Sequence, residues 1–255
     1  MKAPTCIVIT GASGAIGGAL AREYAAPGVT LILQGRDKVL LEKLAAECAA
    51  CGAQPNIMCL DMRDVESLRQ WGIRMARESL PDLVIANAGM NINVGPGGVG
   101  ERWQDIEALW DVNVRAVMAL VDTLLPAMRA RGHGQIAFVS SLAAYFGLPY
   151  NPSYCASKAA VKSYGEALRG WLGPEGIRVN VVMPGYVESS MCRAMPGPKP
   201  WLWKSERAAR VIRRGLEKNR ARITFPWPLS LGTWCLAVLP AELSTRIVRW
   251  MGYRD

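Results

Sequence analysis

Histidine occurs once in this 255-residue chain, and no second C-x-x-C pair accompanies Cys48 and Cys51. A tetrahedral metal site needs about four such ligands, so this lone pair is read as two ordinary cysteines at a helix end, and no metal is expected. The seven cysteines are odd in number and irregular in spacing, which suits free thiols in a reducing compartment better than a disulfide framework. The opening "MKAPTCIVITG" lacks the ordered basic, apolar and small-residue segments of an export signal. A cytoplasmic location is the expectation. Repeats, low-complexity tracts and long linkers are missing too, so residues 1–255 read as one domain, long enough to bury a large core. The apolar run from Phe225 to Leu239 is fifteen residues, about 22 Å as a helix against a hydrocarbon thickness of about 30 Å.

What is present in excess is positive charge, +9 overall. Between Arg193 and Arg222 ten Lys and Arg face only Glu206 and Glu217, so the excess is local. With apolar Val211, Ile212 and Leu216 on one side, this segment reads as the solvated face of a packed helix rather than a nucleic-acid surface. Anionic-lipid contact stays open as the alternative.

Seven short apolar runs, "CIVIT", "VTLIL", "NIMCL", "LVIANAG", "GQIAFVSS", "IRVNVVMPG" and "ARITF", alternate with segments of helical period. That alternation predicts βαβ units around a parallel sheet covered on both faces, an α/β fold. After the first run comes "TGASGAIGG", in which Gly11, Gly14 and Gly17 lead from a strand into a helix. Such a turn brings backbone N–H groups and the positive end of a helix to a pyrophosphate. The second strand ends in Gln34, Gly35 and Arg36. An arginine there suits a ribose 2′-phosphate, so NADP(H) is preferred, with NAD(H) the alternative; Asp37 reads as the next helix's N-cap. Tyr154 and Lys158 in "YCASK" stand four apart on one helix face. Either they pair a phenol with a fixed positive charge, or they are a surface aromatic under a lysine stem.

These pieces, with "LDMRD" at 60–64, "ANAG" at 86–89, Asn113 in "DVNVRAV", "VSS" ending at Ser141 and "PGYVESSM" at 184–191, resemble the short-chain dehydrogenase/reductase family over essentially the whole chain. Ser141 precedes Tyr154 by thirteen residues, the family's separation. One departure is that the family's compact branch has a glycine where this chain has Ala15, which puts the phosphate geometry in question. The resemblance implies a Rossmann-type doubly wound sheet of about seven strands, order 3-2-1-4-5-6-7. It also implies a catalytic set of Asn113, Ser141, Tyr154 and Lys158. Cofactor contacts would come from Gly11, Ser13, Gly14, Ala15, Ile16 and Gly17 in the loop, and from Arg36. Further contacts are Asp61 and Met62 near the adenine, Asn87, Ala88 and Gly89, the Tyr154–Lys158 pair, and Pro184, Gly185, Val187 and Ser189.

On that reading Tyr154 is the acid that protonates a carbonyl oxygen during hydride transfer, and Ser141 donates to the same oxygen. Lys158 lowers the phenol's pKa and binds the nicotinamide ribose, while Asn113 holds a water that links Lys158 to solvent. A unit charge about 4 Å away at an effective dielectric near 20 is worth about 4 kcal/mol, enough to shift a phenol by two or three units. His133 lies on the far side from the site. Residues 190–204, rich in proline and tryptophan, would form the substrate lid, and 225–255 an apolar extension that covers the pocket, forms a subunit interface or touches a membrane. A small carbonyl or alcohol substrate and a homodimer or homotetramer are implied. Alternatives are a sugar-nucleotide epimerase or dehydratase reaction on the same scaffold, or a non-catalytic dinucleotide-sensing protein. A biosynthetic role such as surface polysaccharide formation would suit a reductase of this type.

Overall fold

The computed structural model describes residues 3–252. Each of the seven apolar runs forms a strand: β1 Cys6–Ile9, β2 Thr30–Gly35, β3 Gln54–Cys59, β4 Leu83–Ala86, β5 Gly134–Val139, β6 Ile177–Pro184 and β7 Arg222–Phe225. They make one parallel sheet in the order β3-β2-β1-β4-β5-β6-β7. The helices are α1 Ala15–Tyr24, α2 Lys38–Ala50, α3 Val65–Glu78, α4 Trp103–Trp110, α5 Ala116–Arg131, α6 Pro152–Leu172, α7 Ser190–Ala194, α8 Ser205–Glu217, α9 Trp227–Val238 and α10 Ala241–Trp250.

The sheet is covered on both faces, as its apolar strands require. On one side Leu20 of α1, Leu41 and Leu44 of α2 and Ile212 and Leu216 of α8 pack against Ile7, Leu31 and Val182. On the other, Leu68 and Trp71 of α3, Leu120 and Leu124 of α5 and Val161 and Leu168 of α6 pack against Val8, Val84 and Phe138. The basic segment is therefore a packed helix whose apolar stripe reaches the core. Strand β3 departs from the unbroken apolar pattern; it is an edge strand, and most of its side chains meet solvent. Gln135 on β5 and Asn180 on β6 are buried polar residues whose amides bond to each other at 2.7 Å and to the backbone ends of α8 and its exit turn.

Strand order reverses between β1 and β4, so the loops leaving their carboxyl ends diverge and open a crevice, the usual ligand position in such sheets. Residues 188–202, which include α7, form an excursion pinched at its base, where Val187 bridges Trp203 and Trp203 stacks on Phe225 with ring centroids 5.1 Å apart. Beyond β7 the chain makes the α9–α10 hairpin, fastened by the buried Ser244 hydroxyl donating to the Leu236 carbonyl at 2.8 Å. One face of α9 turns Leu229, Thr233 and Leu236 inward, and the other presents Trp227, Leu231, Trp234 and Val238 to solvent. Among the described residues no helix is long and apolar enough to cross a membrane.

Candidate active site

Strand β1 runs into the loop Thr10–Gly14, and α1 starts at Ala15. Three side chains brace this loop. The buried Gln34 accepts a bond from the Gly11 N–H at 3.1 Å and donates to the Leu60 carbonyl at 2.7 Å, tying the loop to the ends of β2 and β3. The Thr10 hydroxyl accepts from the Asn87 and Ala88 N–H groups, both at 3.0 Å. The Asn87 amide in turn donates to the Thr10 and Gly11 carbonyls. The two loops that diverge at the switch point are thus one bonded unit. Gln34 and Thr10 were visible in the sequence as strand-end residues, but nothing in their type announced this bracing.

Gly17 packs behind the loop. A methyl carbon on it would stand 2.3 Å from the Gly11 carbonyl oxygen, so its job is to let α1 press against the back of the loop. It does not line the cavity. Gly11, Ser13, Gly14, Ala15 and Ile16 do, with Ala15 at the helix start where the compact family pattern has glycine.

The cavity has a volume of about 610 Å³ and continues from that loop past Arg36, Asp61 and Met62 on one side. It then runs along Asn87, Ala88 and Gly89 to Ser141, Tyr154 and Lys158, with Pro184, Gly185, Val187 and Ser189 opposite. Asp37 accepts from the Leu40 N–H at 3.0 Å and so caps α2. Asp61 is held by Arg63 through Nε and Nη2, and that guanidinium, with Arg36 nearby, lowers the carboxyl below its usual range. Both carboxylates beside Arg36 therefore already have partners. The donor set fits a dinucleotide: a glycine loop at a helix start, a cation just after β2, and apolar Met62 in the same part of the cavity.

Tyr154 and Lys158 lie one turn apart near the start of α6 and are 8% and 5% exposed. The reading of a surface aromatic under a lysine stem is thereby excluded. The Lys158 ammonium donates to the Val139 carbonyl at 3.0 Å and lies 5.8 Å from the Tyr154 ring centre. Ser140, unremarked in the sequence, fixes the helix by donating to the Lys158 carbonyl at 2.7 Å. The Ser141 hydroxyl donates to the Pro184 carbonyl at 3.5 Å and accepts from the Ala143 N–H at 3.1 Å. The start of α6 is set from outside: Glu101 accepts from the Ser153 N–H at 3.2 Å, and the Asn151 amide donates to the Ile92 carbonyl at 2.7 Å.

One expectation needs correction. The Lys158 ammonium does not bring the phenol below its ordinary value: burial pushes Tyr154 up to about 12, partly opposed by the Ser141 hydroxyl. Burial likewise pulls Lys158 down to about 8. Withdrawal from water outweighs the neighbouring charge, which is turned toward Val139. Asn113 does not line the cavity. It sits in a π-turn, Asp111–Arg115, between α4 and α5, and its amide is fully engaged with the Met90 N–H and carbonyl and the Ser157 hydroxyl. It clamps the loop after β4 to α6.

Comparison with known proteins agrees with this geometry. Residues 5–197 match the family model for short chain dehydrogenases. The chain belongs to the short-chain dehydrogenase/reductase family. An "uncharacterized oxidoreductase" of Myxococcus xanthus is 33% identical over 239 residues, covering 92% of this chain and 93% of that one. One from Mycobacterium tuberculosis is 33% identical over 253 residues, covering 94% and 96%. Among solved structures, a short-chain dehydrogenase from Sphingobium yanoikuyae in complex with NADPH has a TM-score of 0.80 at 27% identity, covering 86% of this chain and 87% of that one. A 3-ketoacyl-ACP reductase from Sinorhizobium meliloti has a TM-score of 0.75 at 26% identity, covering 89% and 99%.

Proposed function

We propose that this oxidoreductase uses NADP(H) to interconvert a carbonyl and a secondary alcohol, with Tyr154 as the proton donor and acceptor. The observation that carries the reading is the buried Ser141–Tyr154–Lys158 cluster, which faces a cavity continuous with the glycine loop and Arg36. Bound NADPH would supply the hydride. Tyr154 gives its phenolic proton to the carbonyl oxygen as negative charge grows there, and Ser141 donates a second hydrogen bond to the same oxygen. Lys158, an ammonium at neutral pH, stabilises the phenolate left behind and can hold ribose hydroxyls. Arg36 favours the phosphorylated ribose because a guanidinium meets phosphate with two parallel bonds. Asn113, through Met90 and Ser157, keeps the floor of the site in register.

Tyr154→Phe removes one oxygen and leaves the ring in place. NADPH-dependent turnover is expected to fall at least about a thousandfold, in line with loss of a general acid, while the NADPH dissociation constant stays within about threefold by fluorescence titration. An unchanged rate would refute the assignment.

A further inference from the structure

The cavity's charged lining is confined to one half. Among the described residues Arg36, Asp61 and Lys158 are its only charged side chains, and all three lie on the dinucleotide side or at the reacting centre. Past Ser141 and Tyr154 the wall is built by Phe146 and Leu148 from the loop before α6, Met195 from the pinched loop, and Leu229, Leu236 and Val248 from the α9–α10 hairpin. The polar lining residues outside the dinucleotide side include Asn91, Tyr186, Ser190 and Thr233; Asn91 already accepts from the Asn151 amide at 3.1 Å and the Thr233 hydroxyl donates to the Leu229 carbonyl of its own helix at 2.9 Å. A phosphate or a carboxylate placed here would leave water without meeting a charged partner among the described residues. A hydrocarbon chain or ring would bury its surface without such loss.

We infer that the substrate is an uncharged carbonyl compound whose large hydrocarbon part fills the chamber between the pinched loop and the α9–α10 hairpin. The inference rests on the reductase reading for its chemistry and adds the substrate class. It sets aside the sugar-nucleotide alternative, whose diphosphate has no cation in this half of the cavity.

The test is a series of methyl ketones from butan-2-one upward, followed by NADPH absorbance. The value of kcat/KM should rise about fourfold per added methylene, equivalent to about 0.8 kcal/mol each, until the chamber is full. A ketone of the same length ending in a carboxylate should be at least a hundredfold poorer. Leu236→Arg should narrow or reverse that preference. Because a buried arginine can prevent folding, a second measurement uses Tyr154→Phe: dodecan-2-one should raise its melting temperature, and the ω-carboxylate analogue should not. Turnover with a flat chain-length series, or a preference for the charged ketone, would overturn the substrate class alone. Chain binding without turnover of any ketone would overturn the reductase reading and leave the chamber assignment standing.

Discussion

At the scale of single residues, burial sets the protonation of the reacting pair. With Tyr154 near 12 and Lys158 near 8, the free protein at neutral pH holds a neutral phenol and a mostly charged ammonium, the state needed to give a proton. The reverse reaction needs the phenol ionised, so alcohol oxidation should accelerate as pH rises above neutrality, while carbonyl reduction should not; paired pH–rate profiles check this. The same values have a consequence for stability. The lysine's folded pKa lies below its unfolded value, so the unfolded chain binds more protons between about 8 and 10.5 and stability climbs with pH across that window. Lys158→Met removes the cost of the buried charge, about 3 kcal/mol from the shift, and loses a hydrogen bond of about 1 kcal/mol. The variant should therefore be about 2 kcal/mol more stable than wild type at pH 7 in urea titrations, an advantage that disappears by about pH 10.5.

Among the elements, α6 carries Tyr154 and Lys158, and its height over the sheet is set by Gly165. A methyl carbon there would lie 2.8 Å from a Val181 methyl and 2.9 Å from the Phe138 ring. Gly165→Ala should lift the helix off β5 and β6, costing about 1–3 kcal/mol as overpacking does, and should lower kcat by displacing Tyr154 and Lys158 from Ser141. Chemical denaturation gives the first quantity and single-turnover kinetics the second. Period and strand-end glycines made the strands, their alternation with helices and the Tyr–Lys face legible in the sequence, because those signals are local. The clamps were not legible. Gln34, Ser140 and Glu101 act through bonds to residues far along the chain, and no local pattern marks a serine that donates to a helix carbonyl eighteen residues away. The clamp made by Asn113 has the same root: its partner Met90 lies on another loop. The failed acidification of Tyr154 came from counting a charge without counting the water both groups lose.

Across the whole molecule, a ligand that binds only the folded state raises the melting temperature. NADPH at a hundred times its dissociation constant adds about 2.7 kcal/mol, worth about 5–10 °C in a chain of this size. NADH at the same concentration should give a smaller shift, and Arg36→Ala should bring the two shifts together; differential scanning fluorimetry reads both.

The family match ends at residue 197, yet Leu229, Leu236 and Val248, which enclose the far end of the cavity, come after it. The proposed proton donor and dinucleotide site thus occupy one stretch of polypeptide and much of the proposed substrate chamber another. A chimera that keeps the first and exchanges the terminal hairpin would change what is reduced while leaving untouched the residues that reduce it.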